Sequence, residues 1–201
     1  MRWVLVAVVA FPGLLLAALG YHHPTGLDVA TANMWWTMHV PLVPVFPLLG
    51  VALWVLLRQE RGVVAWIGKI GAYLFGCFYT ALDCLAGIGA GLVLDTEKRG
   101  QQSIIELIRI GDQLSYVGTG AYLVATVAVA GLMLRRAGWW ALPGSVLLIG
   151  AAIPFITSHI FWPDGVLAMA ATGIGAGLVE WSRPATPRPV HAPTPDPVRT
   201  A

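Results

Sequence analysis

Charge is scarce in this chain. Only 11% of its 201 residues are Asp, Glu, Lys or Arg, against 57% hydrophobic, whereas a soluble domain carries about 25% charged residues. A mean hydropathy of +0.74 and apolar runs of about twenty residues, which leave no polar face for water, exclude an ordinary soluble fold. The net charge is +2 and the basic residues are scattered between apolar segments, so no basic stripe exists for nucleic acid. Cysteine is nearly missing: Cys77 and Cys84 are the two present. They fall on one predicted helix about 10 Å apart along its axis and cannot bridge each other, which excludes a disulfide framework.

Catalytic signatures are also missing. The chain has no HExxH, CxxC or CxxCH, no nucleophile motif and no phosphate loop, and an enzyme is the class least supported by motif. GIGAGLV at 87–93 has the glycines of a dinucleotide loop but no strand before it, so it fails the context that such binding requires.

What is present is a succession of apolar segments long enough to cross a bilayer. They predict an all-α, polytopic integral membrane bundle of six transmembrane helices, at about 3–20, 40–57, 67–94, 116–134, 141–160 and 166–181. The first resembles a signal sequence in having one basic residue and a small-x-small end, Ala18-Leu19-Gly20, but its apolar run is long for one, and a retained helix is expected. Pro41, Pro44 and Pro47 predict a kinked or unwound outer half in the second span. Residues 103–115 read as a surface helix or an extension of the fourth span. Residues 182–201 hold six prolines and predict a disordered tail.

Orientation follows from the basic residues. With the N-terminus inside, nine of the twelve Lys and Arg fall on the inner side, and only Lys98, Arg99 and Arg109 fall outside. The positive-inside rule therefore places both termini in the cytoplasm of a cell-membrane protein. Trp35, Trp36 and Trp162 mark the outer boundary in the same arrangement.

Asp83 lies near the middle of the third span. An ionisable group at that depth is costly and ordinarily faces a partner or a water-filled cavity. Steps of three and four from it collect Gly76, Tyr79, Thr80, Gly87 and Gly91 on one small or polar face. Asp83, with Thr80 and Tyr79, is accordingly a candidate proton or cation site, and small-cation or proton transport or sensing is the first functional expectation.

The same topology gathers His22, His23, His39 and His159 near the outer boundary, with Asp28 on that side. Histidine and carboxylate are ligands for transition metals, and two histidines on facing helices hold haem, so a haem- or metal-binding redox subunit is the alternative. Asp28 can equally cap the helix that follows. A third expectation is an accessory subunit, in a homo-oligomer or larger membrane complex. Its glycine faces, Gly87/Gly91 and Gly173/Gly177, would dock neighbouring helices. The last two pairs sit in two copies of GIGAGLV (87–93 and 173–179) that would run in opposite directions, as inverted repeats do.

Overall fold

The computed structural model describes residues 2–98 and 102–184, and every regular element among them is helical. In chain order these are α1 (Arg2–Gly20), α2 (Ala32–Val45), α3 (Pro47–Leu56) and α4 (Val63–Leu82). A single π-helical turn (Asp83–Gly89) leads into α5 (Ala90–Glu97). Then come α6 (Gln102–Ala137), a 3₁₀ turn (Gly138–Ala141), α7 (Leu142–Ser158) and α8 (Asp164–Ser182). The predicted tail lies, from residue 185 onward, outside the described residues.

Among the described residues, five continuous helical stretches are long and apolar enough to cross a membrane: Arg2–Gly20, Ala32–Leu56, Val63–Glu97, Gln102–Ser158 and Asp164–Ser182. Six were expected; the predicted fourth and fifth spans share the one 57-residue stretch. Inside it, Gly138 at φ +60° supplies the left-handed residue that ends α6 at a position where other residues are strained. The rings of Tyr122 and Phe155 then meet at 5.9 Å, almost equally far from the turn along the chain, so α7 runs back along α6.

The proline-rich segment breaks where Pro47 cannot donate to the helix before it. Phe46 N–H still donates to Leu42 O at 3.0 Å, and α3 restarts with Leu49 N–H on Phe46 O. The helix begins at Ala32, ahead of the apolar span expected at 40–57 and shortly after Asp28, with Thr31 and not Asp28 at the N-cap, so His39 lies inside α2. Residues 102–115 are an extension of the fourth span, continuous with it in α6.

Close antiparallel contacts define the bundle. A Cβ at Gly13 would come within 2.5 Å of Gly173 N, so α1 and α8 touch backbone to backbone; one at Gly71 would lie 2.7 Å from Ala121 O, where α4 meets α6. Small residues allow this approach between apolar helices. Phe46, Phe75, Tyr79, Tyr122 and Phe155, all buried, fill the centre, with Phe75 and Tyr122 centroids 4.8 Å apart. The two GIGAGLV copies differ locally: the first passes through the π turn, the second lies within regular α8.

One end of the bundle is clasped by ions. Glu180, 2% exposed, accepts Arg58 at 2.8 Å and Arg183 at 3.3 Å. Glu60 bridges Arg136 and Arg183 at 2.6 and 3.3 Å, and Arg183 also donates to the Leu56 carbonyl. This joins the ends of α3, α6 and α8, and Arg2 adds α1 through the Arg183 carbonyl. The turns at 21–31 and 159–163 occupy the opposite end, which carries the histidines.

Candidate metal centre

Three histidines arrive at that end from three different places in the chain. After α1 the chain turns tightly, with His23 N–H donating to Gly20 O at 3.1 Å. The turn sends His22 outward, exposed, and His23 inward, where it is buried. His39 lies one helical turn after Trp35 on α2 and is buried as well. His159 follows the last residue of α7 and has φ +47° and ψ −128°, a conformation that a residue with a Cβ adopts at a cost of order 1–3 kcal/mol. Gly165 fits under this corner, since a Cβ there would stand 2.6 Å from His159 O.

For His23 and His39 the hydrogen bonds fix which nitrogen the ring has to offer. His23 Nδ1 lies 2.7 Å from Pro24 O, and His39 Nδ1 lies 2.7 Å from Trp35 O. A carbonyl only accepts, so both Nδ1 atoms carry the proton and both Nε2 atoms present a lone pair. His159 Nδ1 is 2.5 Å from Tyr79 Oη, and the two rings stack with centroids 5.6 Å apart. With Nδ1–H donating to the Tyr79 oxygen, Nε2 of His159 presents its lone pair as well. The Nε2 atoms of His23 and His159 are buried without a hydrogen-bond partner, a state that costs about 1–3 kcal/mol for each group.

One ring nitrogen from each of the three lies within 4.8 Å of the other two. An ion centred in a triangle of that edge sits about 2.8 Å from each corner, so roughly 0.7 Å of closure per ring reaches the ~2.1 Å of a zinc–imidazole bond. The backbone carbonyls behind His23 and His39 are the outer-shell acceptors that orient metal-binding imidazoles. Burial holds His23 down at about 4, against the opposing pull of the Pro24 carbonyl and with some help from His39. His159 is held well below its ordinary value by burial and then by the two neighbouring rings. Neutral imidazoles are the metal-binding form.

A porphyrin does not fit this arrangement. The ring centroids are 5.0 Å (His23–His39), 5.7 Å (His23–His159) and 6.1 Å (His39–His159) apart. A haem plane passed between any two would run into the third.

The π turn serves the site. Its widened backbone leaves Ala86 O free to accept Trp35 Nε1–H at 3.0 Å, which anchors the residue whose carbonyl orients His39. It also sets Gly87 against that ring: a Cβ there would be 2.2 Å from His39 Cδ2. Gly91 faces Trp35 and Trp36; a Cβ at Gly173 would stand 2.7 Å from Ala10 O, whereas one at Gly177 would come no nearer than 3.4 Å to Ala10 Cβ.

Other sequence-predicted residues stand apart. His22 is exposed. Asp28 accepts from Ala30 N–H and Thr31 N–H, both at 2.8 Å, and from the Thr31 hydroxyl at 3.0 Å; these bonds hold its carboxyl below the usual range and tie it to the turn before α2. Thr80 lines a groove between α3 and α4 with Pro47 and Trp54, away from the buried face of Asp83. Asp83 is 0% exposed and neither carboxylate oxygen has a hydrogen-bond partner. It shares a helix face with Tyr79, one turn earlier, which links it to His159.

Sequence reasoning missed the carbonyls of Pro24 and Trp35, the Ala86 acceptor and Glu180. Glu180 alone had a signal, a lone acid in an apolar helix with Arg183 one turn on. Comparison of the chain with protein-family models, with curated proteins and with solved structures gives no match.

Proposed function

We propose that this is a membrane protein that binds a transition-metal ion, zinc or copper, on His23, His39 and His159. The observation that carries the proposal is the convergence of three imidazole nitrogens within 4.8 Å, on two buried histidines and one half-buried one, two of the rings already oriented by backbone carbonyls. Nitrogen-only donors at this number suit Zn²⁺ and copper better than the oxygen-seeking Mg²⁺ or Ca²⁺.

In this reading the chain crosses the cell membrane six times with both termini in the cytoplasm. Among the described residues, Arg2, Arg58, Arg61, Lys69, Arg135, Arg136 and Arg183 lie toward the end opposite the histidines, and Lys98 and Arg109 toward the histidine end. That bias supports an outward-facing metal centre. Trp139 and Trp140, 84% and 83% exposed at the 3₁₀ turn, suit the inner headgroup layer.

The test is metal content. Protein purified in detergent, stripped with chelator and reloaded should retain one Zn²⁺ or copper per chain after desalting, and His23→Ala, His39→Ala and His159→Ala should each lose it. Wild-type protein that retains none, or variants that retain as much, would remove the proposal.

A second reading has one observation in its favour. Asp83, buried with two unpartnered oxygens at the start of a π turn, suits a proton or small-cation site, since such turns recur at functional positions. Flux in proteoliposomes that survives Asp83→Asn unchanged would remove it.

A further inference from the structure

A cavity of about 400 Å³ lies against the triad, walled in part by Trp35, Ala86, Ile108, Ser115, Thr157 and Phe161. Its size falls in the range of small-molecule sites, roughly 300–1,000 Å³. His39 and His159 both reach the cavity wall, and His23 does not. His23 therefore closes the triad from behind, and an ion held by the three rings turns its remaining face toward the cavity. Structural zinc sites are closed by four protein ligands, whereas three ligands and an open position mark a site that exchanges water or substrate. Among the described residues, no fourth His, Cys, Asp or Glu joins the cluster. Tyr79 is not available as the fourth ligand either, because its hydroxyl is taken by the outer nitrogen of His159.

From this geometry we infer that the fourth coordination position accepts an exogenous small molecule from the cavity. The ligand would present one Lewis-basic oxygen, nitrogen or sulfur to the metal and carry a short, partly apolar body. The walls supply both halves of that description. Ser115 and Thr157 offer hydroxyls, Asp112 a carboxylate, while Leu82, Ile108 and Phe161 are apolar. This inference rests on the three-histidine reading above.

The experiment uses Co²⁺ as a coloured substitute and acetohydroxamate as the probe. Wild-type protein in detergent should bind one Co²⁺ with a tetrahedral visible spectrum, and acetohydroxamate should shift that spectrum saturably. Asp112→Phe and Thr157→Trp stand at exposed positions on α6 and α7, so neither disturbs the core. Both should keep Co²⁺ and its spectrum while binding acetohydroxamate at least ten-fold more weakly. Absence of Co²⁺ binding would overturn the three-histidine reading itself. Bound Co²⁺ with no response to acetohydroxamate would overturn only the open position. An equal response in wild type and both variants would show that the ligand does not arrive through this cavity.

Discussion

Gly87→Ala is the smallest change that should disable the site. A Cβ at this position would lie 2.2 Å from His39 Cδ2, 2.4 Å from Cγ and 2.9 Å from Cβ, against a normal carbon contact of about 3.5–4.0 Å. His39 must retreat by more than about 1 Å, a displacement that breaks its 2.7 Å bond to Trp35 O. Overpacking costs about 1–3 kcal/mol and the orphaned imidazole about 1–3 kcal/mol more. The helix gains about 1 kcal/mol from exchanging Gly for Ala, so the net loss is of order 3 kcal/mol. Metal affinity should suffer more, because ligand distances tolerate only about 0.2 Å and loss of an orienting partner alone costs 10–100-fold. Calorimetric titration of chelator-stripped protein with Zn²⁺ should therefore show binding weakened by at least about ten-fold. Gly150→Ala is the control, since nothing lies within 4 Å of its Cβ; it should bind as wild type does. A Gly87→Ala protein with unaltered affinity would refute the geometry proposed for His39.

Three further outcomes follow from other parts of the bundle. Glu180→Ala takes the carboxylate from Arg58 and leaves Arg183 with Glu60 and the Leu56 carbonyl; losing charge-assisted bonds of this kind costs about 1.5–3 kcal/mol, visible as a lower thermal midpoint in detergent, and an unchanged midpoint would mean the clasp carries no net stability. Asp83→Ala removes an unpartnered buried carboxyl that costs about 1–3 kcal/mol and leaves a small void worth less than about 1 kcal/mol, so stability should rise. A fall would show that the carboxyl finds a partner in solution. In chelator, the metal-free protein should lose stability on acidification. His23 is held down at about 4 against about 6.5 unfolded, so the unfolded chain binds the extra proton between those values. Stability is full above pH 6.5 and falls by about 3 kcal/mol as pH approaches 4. His159 adds to the loss in the same direction. Melting curves at pH 7.5 and 4.5 check this, with His23→Gln flattening the profile; a wild-type profile that is already flat would contradict the burial argument.

Much of the bundle could be read before the structure, because lipid imposes a pattern that a single chain displays. Long apolar runs, their separators and the basic bias of alternate turns each follow from the cost of placing charge or unpaired backbone in hydrocarbon. The helix count is less legible: a run such as Gln102–Ser158 differs from two runs only by one glycine turn at Gly138. The π turn leaves no mark in DCLAGIG that a regular helix would not share. At the site, the sequence places four histidines near one boundary and goes no further. Which of His22 and His23 turns inward depends on the turn after Gly20, and which nitrogen faces the centre depends on carbonyls that every residue possesses. Asp28 shows the converse, a ligand type in the right region whose lone pairs are spent on its own turn. Thr80 lies apart from Asp83 for a reason of angle, since it stands one residue beyond the buried side of α4 that carries Tyr79.

X-ray absorption at the zinc edge of the loaded, detergent-solubilised protein tests the central claim most directly. Three imidazole nitrogens at about 2.0–2.1 Å, with the outer-shell scattering of the rings and one lighter exchangeable ligand, are the expected result. Sulfur at about 2.3 Å, or a first shell of oxygen with fewer than three imidazoles, would contradict it.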